Sequence, residues 1–258
     1  MTRILRCTVE YDGTAFAGFQ KQPGKETVQG ALEAAIAKIT SESLAVTGAG
    51  RTDAGVHAIG QVIHFRTASA LPVETLQRAI NACLSGAVRI RELLEADETF
   101  HARYSAVSRE YRYLVENAAV PSALWRNRLY HVSHPLDVEA MDTAAVTLCG
   151  RHDFAAFGSP MVHTAIGADG EGTVEARGST ERTMFVARCW RQKRFVHFRF
   201  VADAFLRHMV RMVVGTLLRV GTGALMTQTI VKILHGDRTV SAGPAAPAHG
   251  LYLVHVRY

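Results

Sequence analysis

Cysteine is scarce in this sequence, and its placement argues against a metal site. The chain has 258 residues but only four cysteines, with no C-x-x-C pair and no Cys/His cluster at the spacing of zinc ligands. We expect free, buried thiols in a reducing compartment, and no bound metal. The four residues are Cys7, Cys83, Cys149 and Cys189.

Long apolar runs are also lacking. The N-terminal stretch "MTRILRCTVEYDG" alternates polar and apolar residues instead of forming the apolar core of a leader peptide. No segment approaches the roughly 18 apolar residues of a membrane span. The sequence therefore predicts a cytoplasmic protein with no membrane partner.

What is present is the composition of a globular protein. Apolar residues make up 48% of the chain and charged residues 20%, which is enough for one large core or two modest ones. The net charge of +6 at pH 7 favours an anionic partner such as nucleic acid, although many basic proteins bind none. The position of the charge along the chain has to decide whether the partner is a nucleic acid.

Hydrophobic periodicity predicts two successive halves that each combine strands with helices. Period-two alternation predicts strands at 5–11, 61–65, 87–93, 100–106, 107–115, 194–201 and 250–258. Helical periodicity predicts helices at 27–39 behind a Thr27 cap, at 72–84 with Pro72 in the first turn, at 136–148, and from an Asp203 cap to 220. This order predicts an α+β protein with sheets backed by helices, divided into residues 1–105 and 106–258.

Positive charge is concentrated in residues 182–219, which we call the basic stripe. It contains nine Lys or Arg residues and one acid, Asp203. Cations neutralise phosphates and aromatic rings stack on unpaired bases, so the pattern suits RNA, but a solvated basic face over an aromatic core would look the same. The interleaved aromatic residues are Phe185, Trp190, Phe195 and Phe198.

One acidic residue stands among glycines in "GAGRTDAGVH" at 48–57. Because glycines permit close backbone approaches and unusual turns, the carboxylate of Asp53 is expected to be displayed rather than buried. From the residues alone, Asp53 is either a catalytic group or a turn residue that caps the backbone. A metal site shared with His57 would need a helix, which Gly55 disfavours.

Five segments carry a resemblance to a known family. They are "YDGTAFAGFQ" at 11–20, "GAGRTDAGVHAIGQVIHF" at 48–65, "FHARYSAVSREYRYLV" at 100–115, "AFLRHMVRMVVGTLLRVG" at 204–221 and "GLYLVHVRY" at 250–258. In order and spacing the chain resembles the bacterial TruA family of tRNA pseudouridine synthases over nearly its whole length. The resemblance implies a cofactor-independent enzyme that isomerises uridines of the tRNA anticodon arm, at tRNA positions 38–40.

The resemblance also implies the catalytic residues. Asp53 aligns with the family's catalytic aspartate, which attacks either C1′ or the uracil C6 of the target uridine. Tyr111 aligns with the active-site tyrosine, which is expected to stack on the uracil and to assist proton removal at C5. Arg211 aligns with the basic residue that keeps the aspartate ionised.

Two further residues are implied to bind the substrate, and a third is expected to do so from its spacing to Arg211. Arg51 is expected to grip the nucleotide backbone or to help flip the base out of its stack. Leu251 aligns with the apolar residue that closes the pocket. Arg207, four residues before Arg211 on the predicted helix, is expected to share its face and its role.

For the fold, the resemblance implies two similar ferredoxin- or RRM-like β/α halves. Their strands would form a continuous antiparallel sheet backed by helices, with a basic active-site cleft between the halves. The expected assembly is a homodimer that receives one tRNA across both subunits. The first alternative is a non-catalytic RNA-binding or RNA-folding protein on the same scaffold, and a metal-dependent phosphohydrolase using Asp53 and His57 is a distant third.

The chain departs from the family pattern at three places. Phe19 stands where the family has tryptophan, and the stretch from Asn81 to Gly86 departs from N-x-N-L-P-G. Segment 158–183 is longer and richer in glycine than the usual connection. We expect the first two departures to affect RNA contacts rather than the reaction, and segment 158–183 to be an irregular, mobile connection.

Overall fold

The computed structural model describes residues 2–159, 162–166, 173–237 and 239–258, but not the side chains of 162–166 and 173–177. The strands are β1 (Arg3–Tyr11), β2 (Thr47–Gly48), β3 (His57–Thr67), β4 (Val88–Ala96), β5 (Ser108–Asn117), β6 (Tyr130–Val132), β7 (Gly150–Asp153), β8 (Val162–Ile166), β9 (Thr173–Arg177), β10 (Glu181–Gln192), β11 (Phe195–Ala202) and β12 (Leu251–Arg257). The α-helices are α1 (Val28–Thr40), α2 (Val73–Cys83), α3 (Val138–Val146), α4 (Met209–Gly221) and α5 (Thr229–Leu234).

The architecture is α+β, with a large mixed sheet backed by helices. The expected antiparallel sheet is wrong at two pairings, because β5 runs parallel to β6, and β12 runs parallel to β3, with Tyr252 opposite His57. Parallel neighbours need a long connection, and more than 180 residues separate β3 and β12 in sequence. No helix in the described ranges is long and apolar enough to cross a membrane.

The chain packs as two compact units. Unit 1 comprises Met1–Arg112, Asn127–Leu129 and Ala248–Tyr258, and unit 2 comprises Tyr113–Arg126 and Tyr130–Pro247. The units differ from the predicted division at residue 105, because β5 contributes to both and the last strand belongs with unit 1. The two-domain division stays a prediction.

In unit 1 the strand order is β4-β1-β3-β12, and helices α1 and α2 pack against each other, with α2 also against β4. The alternation predicted for β1 is confirmed, because its apolar face is buried: Leu5, Cys7, Val9 and Tyr11. Thr27 caps α1 as predicted, its hydroxyl accepting the Gly30 N–H at 3.2 Å.

In unit 2 the strand order is β11-β10-β7, and α3 packs against β10 and α4. Asp137 caps α3 by accepting the Ala140 N–H at 2.9 Å. All four cysteines of the protein are free, but only Cys7 and Cys189 are buried, since Cys83 and Cys149 are partly exposed.

Two predicted elements are wrong. Residues 100–106 form a turn, not a strand, because the His101 ring nitrogen accepts the N–H groups of Arg103 and Tyr104, each at 3.2 Å. Helix α4 begins at Met209 rather than after Asp203, whose carboxylate instead accepts the Thr183 N–H at 3.1 Å.

In the parts of the glycine-containing segment 158–183 that the structure describes, the chain forms strands and is not only an irregular loop. Strands β8 and β9 pair antiparallel, with Val162 opposite Arg177. Residues 160–161 and 167–172, to which the expectation of an irregular connection also applied, lie outside the described residues.

Candidate active site

The loop that carries Asp53 joins β2 to β3 in unit 1, and close backbone contacts fix its path. Gly18 has a φ of +103°, and a Cβ there would lie 2.8 Å from the Thr52 carbonyl oxygen. The N–H of Phe19 donates to that same carbonyl at 3.0 Å. Only glycine fits this approach, so "AGF" at 17–19 and "RTD" at 51–53 are matched parts of one structure.

A buried polar network holds the same loop from the sheet side. The Tyr11 hydroxyl lies 2.8 Å from the Thr52 hydroxyl, and the Gln61 amide donates to the Gly50 carbonyl at 2.8 Å. Burial raises the pKa of Tyr11 to about 12, so this phenol stays neutral. Asp53 itself is half-buried at the tip, directly before a turn in which the Val56 N–H donates to the Asp53 carbonyl.

Phe19, one of the departures from the family pattern, packs against this structure and is not a surface residue. It is 3% exposed, and a Cβ on Gly48 would come within 2.7 Å of its ring. Phe19 is therefore not exposed for a direct contact with RNA, and the expectation that this departure affects RNA contacts stays a prediction. Its ring fills the space next to the strand that leads into the Asp53 loop.

His57 is a structural residue. Its Nε2 lies 3.0 Å from the Asn127 carbonyl and its Nδ1 accepts the Gly13 N–H at 3.1 Å, while the ring stacks on Tyr252 at 4.8 Å. Burial lowers its pKa, against the opposing effect of Asp12, so the neutral ring is favoured. Since both ring nitrogens already have partners, His57 does not offer a ligand position beside Asp53.

Tyr111 lies near Asp53, as the sequence predicts for two residues of one site. It is 8% exposed, its hydroxyl is 3.6 Å from the position of a Cβ on Gly50, and the charge of Asp53 acts on it. Burial raises the pKa of Tyr111, as do Tyr11 and Asp53, while Arg109 lowers it. At neutral pH the group beside Asp53 is a phenol and not a phenolate.

The remaining predicted residues divide between the two units. Arg51 is exposed on the Asp53 loop, and Leu251, 6% exposed, is the first residue of β12. The register of Tyr252 with His57 places Leu251 level with Val56, three residues after Asp53. Arg207 and Arg211 lie in unit 2.

In unit 2 the two arginines do not share a helix face. Arg211 is in the first turn of α4, and its Nε donates to the Ala246 carbonyl at 2.7 Å. Arg207 precedes the helix and forms an isolated bridge with Ser159, because the chain is still extended there. The expected i, i+4 relation is therefore wrong, while the substrate-binding role of Arg207 stays a prediction.

Comparison with known proteins identifies the family. A family model described as tRNA pseudouridine synthase matches residues 8–105 and 144–258. Relatives called tRNA pseudouridine synthase A come from Acetivibrio thermocellus (43% identity, 99% of this chain, 100% of the relative), Chloroflexus aurantiacus (44%, 99% and 89%) and Geobacillus sp. WCH70 (41%, 100% and 99%). The chain belongs to the tRNA pseudouridine synthase family. The resemblance inferred from the sequence is confirmed.

Arg109 is a residue of this tRNA pseudouridine synthase that the sequence analysis missed. It is 9% exposed, and its guanidinium donates to the carbonyls of Ala49, Arg103 and Ala106 at 3.3, 2.6 and 3.1 Å. It therefore joins the start of the Asp53 loop to the turn at 101–106. Its position two residues before Tyr111, on the same face of a strand, was the available signal.

The basic stripe is only partly free for a polyanion. The Arg188 guanidinium binds Asp142 with two hydrogen bonds, at 2.9 and 3.0 Å, and Arg194 lies 2.9 Å from Glu116, which is 2% exposed. Phe198 is fully buried, whereas Phe185 is 51% exposed. The stripe thus combines structural ion pairs with other side chains that are exposed.

Among the described side chains, no group of three or more His, Cys, Asp or Glu residues could hold a metal ion.

Proposed function

We propose that this chain converts uridines of the tRNA anticodon arm, at tRNA positions 38–40, to pseudouridine, with Asp53 as the nucleophile and without a cofactor. The observation that carries the proposal is Asp53 itself: a half-buried carboxylate at the tip of a loop held by other groups, beside a neutral tyrosine, in a member of this family. A turn residue would need no such surroundings.

The reaction is an isomerisation, so no atoms are gained or lost overall. The N1–C1′ bond of uridine breaks, the uracil rotates within the pocket, and a C5–C1′ bond forms. The proton on C5 leaves and N1 acquires one. A carboxylate nucleophile suits this series of steps because it forms an adduct at C1′ or at C6 and departs again when the new bond is complete.

Tyr111 is proposed to stack on the target uracil. Its raised pKa argues against a phenolate base at neutral pH, so its ring and its neutral hydroxyl are what it offers the substrate. Any part in removing the C5 proton would require a partner to accept that proton. Leu251 is proposed to close the pocket, a role that its buried position near the end of the Asp53 loop supports.

Three arginines are proposed to act on the RNA phosphates and on the Asp53 carboxylate: Arg51, Arg207 and Arg211. Arg51 grips the RNA backbone or helps to flip the base, and Arg207 contributes to RNA binding. Arg211 keeps Asp53 ionised. On this proposal Arg211→Met lowers turnover steeply; wild-type rates in this variant would assign the role to another cation.

The larger assembly is also part of the proposal. Two similar β/α halves with a basic cleft between them, a homodimer that takes one tRNA across both subunits, and a cytoplasmic location are what family membership and the tRNA substrate imply. The net charge of +6 supports an RNA partner.

The decisive experiment compares Asp53→Asn with wild type in two assays on one preparation. The carboxamide is nearly isosteric, and the contacts of the loop made by Gly18, Tyr11, Gln61 and Arg109 do not use the Asp53 carboxylate. The variant should therefore fold and bind tRNA as wild type does, yet form no pseudouridine in unmodified tRNA. Pseudouridine formation at the wild-type rate would contradict catalysis by Asp53, and absence of the product with the wild-type protein would favour a non-catalytic RNA-binding role.

A further inference from the structure

The turn at residues 101–104, which we call the HARY turn, is fixed from several sides. The Ala102 N–H donates to His64 of β3 at 3.1 Å, and the Tyr258 hydroxyl donates to the Ala102 carbonyl at 2.7 Å. Arg109 holds the Arg103 carbonyl at 2.6 Å. The backbone of this turn is therefore as well held as that of the Asp53 loop, which the same arginine contacts.

One side chain on the HARY turn, that of Tyr104, is nevertheless exposed, and those of His101 and Arg103 are partly exposed. Tyr104 is 71% exposed, and its ring stacks on His101 with centroids 4.4 Å apart and planes at 29°. His101 in turn lies 4.7 Å from His64. An aromatic ring that is supported on one side and open to solvent elsewhere is pre-organised for stacking, because little rotamer freedom is left to lose on binding.

The guanidinium group of Arg103 lies beside that ring, and the charge of Arg51 interacts with both. Partial burial lowers the pKa of Arg51, and the charge of Arg103 lowers it further, while Tyr104 acts in the opposite direction. The guanidinium carbon of Arg103 is 5.4 Å from the Tyr104 ring centroid. Neither arginine has a carboxylate within ion-pair distance among the residues that the structure describes.

The two guanidinium groups and the exposed Tyr104 ring together suit a ligand that carries an anionic group next to a flat apolar one. Two cations that repel each other gain from a shared phosphate, and the exposed ring gains from a base stacked upon it. A stacked base must be unpaired, so the fitting partner is a single-stranded or unstacked stretch of RNA. Arg51 is two residues from Asp53, which places this stretch next to the target uridine.

We propose that Arg103 and Tyr104, together with Arg51, form an RNA-binding site in which the two guanidinium groups hold a backbone phosphate and the Tyr104 ring stacks on an unpaired nucleobase flanking the target uridine. The inference rests on the proposed function, since it takes tRNA as the substrate. It goes beyond that function by assigning Arg103 and Tyr104, to which the sequence analysis gave no role.

The test uses the full-length protein, an unmodified tRNA transcript and an Asp53→Asn background, so that binding is measured without turnover. Tyr104→Ala should weaken tRNA binding by about 5- to 150-fold, the range for loss of one base–aromatic stack, and Tyr104→Phe should restore it. Arg103→Met should reduce the slope of log affinity against log salt by about one unit. Tyr104→Ala should leave that slope unchanged, because no phosphate contact is lost.

Arg78→Met is the matched control. Arg78 is an exposed cation of unit 1 on α2, with no ion pair to a described residue. It should change neither affinity nor salt slope by a comparable amount. In the active enzyme, Tyr104→Ala should raise KM and leave kcat nearly unchanged, because a contact to a flanking base is made equally before and during the reaction.

The outcomes separate this inference from the proposed function. Wild-type affinity and KM in Tyr104→Ala, or an equal slope change in Arg78→Met and Arg103→Met, would overturn the site even if the wild-type enzyme forms pseudouridine. No pseudouridine with the wild-type enzyme, but tRNA binding that depends on Tyr104 and Arg103, would overturn the proposed function and retain the site. A wild-type protein that does not bind tRNA would overturn both.

Discussion

Gly18→Ala offers a direct test of how the Asp53 loop is positioned. At φ +103° an alanine is strained, and its Cβ would lie 2.8 Å from the Thr52 carbonyl oxygen and 3.3 Å from the backbone nitrogen of Ala54. The backbone conformation costs about 1–2 kcal/mol for a residue other than glycine. The overlap adds about 1–3 kcal/mol, since the neighbours are backbone atoms that cannot rotate away.

The chain provides a matched control in Gly24→Ala. Gly24 also has a positive φ, +69°, but a Cβ there would meet no atom within 4 Å. This variant should lose only the conformational part, about 1–2 kcal/mol of the free energy of unfolding. The difference between the two variants, about 1–3 kcal/mol in urea unfolding, measures the contact with the loop.

Turnover should separate the two variants more sharply than stability does. To relieve the overlap, the loop at 52–54 has to move by about half an ångström, and a misplacement of about 1 Å can cost a factor of about 100 in rate. We therefore expect single-turnover pseudouridine formation to fall by about 10- to 100-fold in Gly18→Ala and to stay near wild type in Gly24→Ala, at a temperature where both are folded. Equal stability losses and a wild-type rate in Gly18→Ala would refute the reasoning.

Three further predictions concern stability and pH. Arg109→Met leaves three carbonyls without their donor, so unfolding in urea should show a loss of about 2–4 kcal/mol, with turnover reduced as well; Arg109→Lys should recover only part of either. Arg194→Met removes the cation beside the buried Glu116 and should cost about 1–3 kcal/mol, most of which Glu116→Gln in the same chain should restore if the unpaired charge is the cause. Thermal stability should fall as the pH drops below about 6.5, because the histidines of the unfolded chain then bind protons that the native imidazoles, with their lowered pKa values, do not bind. A midpoint of thermal unfolding that is unchanged between pH 7.5 and pH 5.5 would contradict the lowered pKa values of His57, His64 and His249.

The elements that the sequence predicted well are those whose determinants are local. Alternation in β1 and the Thr27 cap of α1 depend on residues a few positions apart, and both are found. The glycines around Asp53 are also a local signal, because their spacing predicts an unusual turn. Family membership was recognisable for the related reason that the motif "AGRTDAGVH" is contiguous.

The errors arise where side-chain hydrogen bonds or long connections, rather than the hydrophobic pattern, decide the structure. Alternation in "FHARYSA" suits a strand, but the His101 ring accepts two backbone N–H groups and closes a turn. Asp203 has the side chain of a helix cap, yet it binds the Thr183 N–H on β10, and the helix starts six residues later. The parallel pairing of β12 with β3 depends on a connection that runs through the whole of unit 2.

The two interpretations of Asp53 that the sequence left open differ in what shapes the loop. If Asp53 were a turn residue whose side chain caps the backbone, its carboxylate would be the main determinant of the turn. The loop instead has a glycine contact at Gly18, a donor from Gln61 to Gly50 and a donor from Arg109 to Ala49, none of which involves that carboxylate. Groups on β3, on β5 and on the segment after β1 thus set the backbone, and they do so around a half-buried acid that raises the pKa of the neighbouring Tyr111. A fold that supplies this many outside contacts to one short loop supports the proposal that the acid at position 53 serves chemistry.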